Sequence, residues 1–196
     1  MRPHALQVIQ DEHQAVSAML RSLNMLLRQA RDERRAPPFD VLRAMLFYVD
    51  EFPERLHHPK ETQLLFPKVR ARCPELGPVL DQLDADHGLG EASIRELEHR
   101  MLAYEVMGES RREPFEKALA RYVDNYLKHM ALEDSTILPA ARTHLKPEDW
   151  AELDKAFEAN RDPLTGHAPT TDYDALFTRI VNAVPAPIGL GETHTA

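Results

Sequence analysis

PFEKALARYVDNYLKHMALEDSTILP, residues 114–139, is the stretch on which the fold turns. Phe115, Leu119, Tyr122 and Tyr126 recur at steps of three and four, and the same face runs on through His129 and Glu133 to Ile137. That spacing is one stripe of an α-helix, expected from near Pro114 to about Leu138 and stopped by Pro139. A histidine and a glutamate thus occupy core positions of an apolar face. A buried carboxylate is costly unless it is paired or coordinates a metal. This helix therefore needs neighbours that answer both groups.

Three upstream segments supply them. From about Pro3 to Arg34, Leu6, Ile9, Val16, Leu20, Leu23 and Leu27 form a stripe with one gap, and His13 fills it. Ala36-Pro37-Pro38 ends that helix and starts the next, since proline is tolerated in a first turn. The second stripe is Leu42, Met45, Val49, Phe52 and Leu56. Pro53 and Pro59 each remove an intrahelical hydrogen bond, so a kink or short break is expected there. His57 and Glu61 lie one position out of phase with the stripe, a mismatch that a kink or bulge would absorb. The third segment, about Pro78 to Met107, carries Leu80, Leu83, Gly90, Ile94, Leu97 and Met101, with His87 in its open slot. Gly88 and Gly90 lower helix propensity there, which points to close packing or a ligand pocket.

Beyond Pro147 a shorter helix is expected through Trp150, Leu153 and Phe157. A turn from Asp162-Pro163 to Gly166 follows, then a helical stretch from Tyr173 to about Val184 and an extended tail, PAPIGLGETHTA. The division is a bundle over 1–145 and a C-terminal helical extension and tail over 146–196, packed on it. No internal repeat or low-complexity tract stands out.

Composition narrows the class. In 196 residues, 43% are hydrophobic and only 7 are glycine, which suits one helical domain with a core. The net charge of -8 argues against nucleic acid and anionic membranes as partners, because both reward a basic face. No apolar run approaches the roughly 18 residues of a membrane helix, and the start, MRPHALQVIQDEH, has no signal pattern. Cys73 is the single cysteine, so an internal disulfide and cysteine-based metal sites are excluded and a cytoplasmic location is expected.

The four inward histidines are separated by about 44, 30 and 42 residues, which at 1.5 Å rise suits helices of roughly 20 to 30 residues in an up-down-up-down four-helix bundle. All four can lie at one level. His57 with Glu61 and His129 with Glu133 are spaced four apart, so each pair offers an imidazole and a carboxylate to one interior point. Bundle di-metal sites are built from such groups. The mixture fits non-haem iron, with manganese or zinc as substitutes. Glu91, one turn after His87, is an additional candidate ligand. Tyr126 offers a hydrogen bond to a ligand, although packing explains it as well. His58 is turned about 100° from His57 by helical geometry and reads as surface or as a neighbour of the ligands. His4, His99, His144, His167 and His194 read as surface.

Taken in order, His13, then His57-His58-Pro59-Lys60-Glu61 with Leu65-Phe66-Pro67, then Asp86-His87, then His129-Met130-Ala131-Leu132-Glu133 with Leu138-Pro139, resemble the hemerythrin-like, or HHE cation-binding, family over about residues 5 to 160. The stretch from Phe157 through Asp162-Pro163-Leu164, with Pro185-Ala186-Pro187, resembles the C-terminal extension of some bacterial members. The resemblance implies an all-α, hemerythrin-like bundle around a carboxylate-bridged di-iron centre with an oxo or hydroxo bridge. By it, His13 and His57 serve one iron, His87 and His129 the other, and Glu61 and Glu133 bridge. Oxygen-carrying members have a second histidine one turn after the one matching His87, and an aspartate five residues after the one matching His129. This chain has Glu91 in place of that second histidine and adds Glu133 beside the aspartate position, which leans away from simple oxygen storage.

Three functions are then in play. The first is a di-iron protein that binds or senses O2 or nitric oxide, or handles iron, as a homodimer or with a protein partner. The alternative is a di-iron redox enzyme that detoxifies peroxide or nitric oxide, or repairs iron–sulfur clusters; a lone cysteine leaves it no internal dithiol. The third is a helical scaffold whose histidines only hydrogen-bond internally.

Overall fold

A computed structural model describes residues 3–160, 162–165 and 173–183, and these are helical, with no strand among them. Helix α1 spans His4–Asp32, α2 residues 39–72, α3 Gly77–Met107, α4 residues 112–144, α5 Pro147–Glu158 and α6 Asp174–Ala183. Among the described residues no helix is long and apolar enough to cross a membrane. Val184, the end of the turn at Gly166, the tail, and His167 and His194 lie outside the described residues.

Helix α2 does not break at its prolines, and the bulge that would absorb the phase of His57 and Glu61 is present. The chain instead widens into π-helical turns at Asp50–His57 and Glu61–Leu65 and continues to Arg72. A π turn bonds i to i+5 and so takes up one extra residue. That is the single position by which His57 and Glu61 were out of phase. Helix α4 behaves alike. It was expected to stop at Pro139, yet a π turn at Glu133–Ile137 shifts the hydrogen-bond register just before the proline, and the helix runs on to His144. At the end of α3, Gly108 adopts φ 79°, a backbone state that side chains disfavour, and the chain turns into α4.

Two apolar clusters make the core. One joins Val16–Leu27 side chains of α1 to Val41–Phe52 of α2, Ile94–Tyr104 of α3 and Phe115–Met130 of α4. The other joins Ala5, Leu6 and Ile9 to Leu65–Cys73, Leu80 and Leu83, and Ile137–Leu145. Each of the four long helices passes from one cluster to the other, in alternate order along the chain. Fully burying a side chain of leucine size contributes about 1.5–3 kcal/mol, so these clusters are the main source of cohesion. Between them lies a buried polar layer: Glu12, His13, Glu54, His57, His58, Glu61, His87, His129 and Glu133.

The C-terminal segments cover this body. Trp150, Leu153 and Phe157 of α5 join the second cluster, and the Asp154 carboxylate accepts a 2.7 Å hydrogen bond from the backbone N–H of Ala5. Phe177 and Ile180 of α6 join the first, with the Phe177 ring edge-on to Tyr48 and Phe52.

Candidate metal centre

His13, His57, Glu61, His87, His129 and Glu133 meet in the polar layer, each less than one-tenth exposed. Glu61 lies between the two histidine pairs. Its Oε1 is 3.0 Å from His57 Nε2 and 4.0 Å from His13 Nε2, and its Oε2 is 3.5 Å from His87 Nε2. Glu133 lies between them from the other side, with Oε2 3.4 Å from both His13 Nε2 and His129 Nε2. His87 Nε2 and His129 Nε2 are 3.0 Å apart. Four imidazoles thus present the same ring nitrogen to two carboxylates.

Three of the other ring nitrogens are held from behind. His13 Nδ1 is 3.1 Å from Asp134 Oδ1, His57 Nδ1 is 2.5 Å from Glu12 Oε2, and His87 Nδ1 is 2.9 Å from the Thr62 hydroxyl. His129 Nδ1 faces Asp86 at 3.6 Å. An acceptor behind the ring fixes the tautomer that leaves Nε2 free to ligate, the usual arrangement around protein-bound metals.

Whether the layer fits a metal can be judged from its unsatisfied atoms. All four oxygens of Glu61 and Glu133 are buried without a hydrogen bond, as is His57 Nε2; the 3.0 Å approach of His57 to Glu61 is close but not aligned as one. Orphaned buried carboxylates are rare and call for an explanation, and cations bound between them would provide it. Two sets of donor atoms lie mutually within 4.8 Å: His13, His57 and Glu61, and His58, Glu61, His87 and His129. The layer fits a metal site.

Charge in the layer is shared among the same groups. Burial presses His57 toward neutrality, but Glu61 and Glu12 outweigh it and hold the ring well above its ordinary value. Burial likewise opposes a raised His129, where Glu133 and Glu61 prevail. Burial pushes the Glu61 carboxyl up, yet His57 and His87 hold it well below the usual carboxylate range.

The structure decides between the two readings of His58, which is not on the surface but a buried neighbour of the ligands. It is 6% exposed and its ring stacks on His87 at 4.1 Å. The π turns rotate it inward together with His57, which the 100° step of a regular helix does not allow. Its Nδ1 is 3.0 Å from Glu54 Oε2 and its Nε2 is 2.8 Å from the Tyr126 hydroxyl, while the Tyr122 hydroxyl donates to Glu54 Oε1 at 2.8 Å. Burial, and then the neighbouring His87 and His57, hold His58 well below its ordinary value, so it is neutral. Glu91 does not join the layer: it is exposed and pairs with Arg95. His4, His99 and His144 are exposed.

Sequence reading passed over Glu12, Asp134, Asn160 and the role of Thr62. Glu12 and Asp134 had one signal, adjacency to His13 and Glu133. A second signal lay in the chain as well. His57 and Glu61 are followed by Pro67, and His129 and Glu133 by Pro139, at the same spacing. In each copy of this shared motif a π turn opens at the glutamate, and π turns favour functional sites.

The family model described as hemerythrin HHE cation binding domain matches residues 4–141. No curated protein matches the chain.

Proposed function

Because the chain belongs to the hemerythrin HHE cation-binding domain family, we propose that it is a non-haem di-iron protein that binds or senses O2 or nitric oxide, or handles iron. His13 and His57 hold one ion and His87 and His129 the other, with Glu61 and Glu133 shared between them. The donor set also admits manganese or zinc. The observation that carries this reading is the set of four buried carboxylate oxygens with no hydrogen bond, ringed by imidazole nitrogens. The alternate passage of the long helices between two core clusters supports an up-down-up-down four-helix bundle over 1–145, with 146–196 as its extension. The buried, unpaired Cys73 fits a reducing cytoplasm.

When bound, the metal pair supplies redox chemistry and a coordination position for a small ligand. The protein's part is orientation and access. Asp134, Glu12, Thr62 and Asp86 aim the imidazoles, and the two apolar clusters exclude water from above and below. A groove of about 420 Å³ between α3 and α4, lined by Ser93, Asn125, Tyr126 and Lys128, reaches His58, His87 and His129. It is the route we assign to O2, nitric oxide or peroxide.

One observation favours the second reading, a redox enzyme acting on peroxide or nitric oxide or repairing iron–sulfur clusters. Tyr126, His58, Glu54 and Tyr122 form an unbroken buried hydrogen-bond chain beside the donors, and such a chain can hold and pass a proton.

The test is anaerobic loading with ferrous iron and a count of ions per chain. Two irons are expected for the native protein, with loss of that stoichiometry in His57→Ala and Glu133→Ala. Two irons retained in both variants would sink the assignment. Admission of O2 then separates the readings, since a reversible spectral change means ligand binding, and turnover with an external reductant means an enzyme.

A further inference from the structure

The matched family region ends at residue 141, yet a side chain beyond it reaches the polar layer. Asn160 follows α5 and is 5% exposed. Its amide Nδ2 donates to both oxygens of the Glu12 carboxylate, at 2.9 and 3.0 Å. Glu12 Oε2 in turn receives His57 Nδ1 at 2.5 Å. Lys60 donates to Asn160 Oδ1 and fixes the amide from the other side. Phe157, one turn earlier, packs edge-on against the His57 ring at 5.8 Å.

We propose that Asn160 is a positioning residue for the metal held by His13 and His57, so that the C-terminal extension completes that half of the centre. This rests on the assignment of His57 as a ligand. Without Asn160, nothing described holds both Glu12 oxygens, and Glu12 is the group that sets the tautomer and angle of His57. The other half has no such dependence, because Thr62, Asp84 and Asp86 on α2 and α3 serve His87 and His129. The two metal positions therefore differ in what holds them: one is built within the four long helices, the other is closed by the extension. Linkage makes the effect mutual. A metal at the His13/His57 position tightens the docking of the extension by the factor by which docking tightens the metal.

The test uses the full chain and cobalt(II), whose visible bands report ligand geometry, with a competing chelator to obtain a dissociation constant for each ion. In Asn160→Ala and Asn160→Asp, one of the two constants is expected to weaken about 10- to 100-fold, as for other groups placed behind a metal ligand. The cobalt spectrum should change for that ion alone. Asp154→Asn, which weakens one contact at Ala5 while Trp150, Leu153 and Phe157 keep α5 docked and Asn160 stays on Glu12, should leave both constants in place. In the native protein, metal should slow proteolysis between α4 and α6, and in Asn160→Ala it should not. Unchanged constants in both Asn160 variants would overturn the proposal, as would equal weakening in Asp154→Asn, which would mean that docking alone matters. A native chain that binds no cobalt would instead overturn the di-metal assignment on which this rests.

Discussion

Burial of the Asp162 carboxyl, next to α5, pushes it from an ordinary 3.8 up to about 6, against the hydrogen bonds that Tyr48 and the backbone of Leu164 donate to it. A folded value above the unfolded one means that the fold binds the proton better. The stability from this group is present below about pH 4 and is lost as pH rises through about 6. Between about pH 5 and pH 7 the loss is on the order of 1 kcal/mol. Unfolding free energies at those two pH values should show it, and Asp162→Asn should flatten it; an equal slope in the variant would assign it to another group. At this same scale the candidate site was partly legible. His13, His87, His129 and Glu133 fall on apolar stripes, which sequence displays directly. His58 and Asn160 do not, because one is brought inward by a local change of helical pitch and the other by packing of a distant segment.

Among the elements, α3 carries two glycines that sequence treats alike and the structure separates. A Cβ on Gly88 would meet nothing within 4 Å, whereas one on Gly90 would lie 3.0 and 3.1 Å from the Glu54 carboxylate oxygens. Glu54 has little room to give, since Tyr122 and His58 hold it. Gly88→Ala should therefore raise stability by about 0.5–1 kcal/mol through helix propensity. Gly90→Ala should lose that gain or reverse it, because a buried hydrogen bond costs about 1 kcal/mol or more when broken. Thermal melts of the two variants decide this, and equal gains would show that Glu54 moves freely. The bounds of α1 and α3 were legible from three-four periodicity, whereas the end of α4 was not. The π turns were not, because proline in a sequence signals a lost hydrogen bond without saying whether the helix breaks or widens.

For the molecule as a whole, the polar layer divides the core into two apolar clusters, and among the described residues it holds six of the seven buried side-chain atoms that lack a hydrogen bond, His129 Nδ1 among them. Metal should stabilise the folded chain strongly. At 1,000 times Kd one ion adds about 4 kcal/mol, and a chain of this size gains about 2–4 °C per kcal/mol. Chelation should thus lower Tm by about 10 °C or more, and an unchanged Tm would mean a histidine-lined core that binds nothing. The sequence by itself determined that the chain is helical, that four helices each turn a histidine inward, and that two of them add a glutamate, because periodicity is a local property that residue order displays. Only the tertiary structure decided that both carboxylates lie between two histidine pairs, that His58 joins them, that Glu91 stays in solvent, and that Asn160 closes one end. Those facts depend on helical pitch near proline and on contacts between segments nearly 150 residues apart in sequence, and no local pattern encodes either.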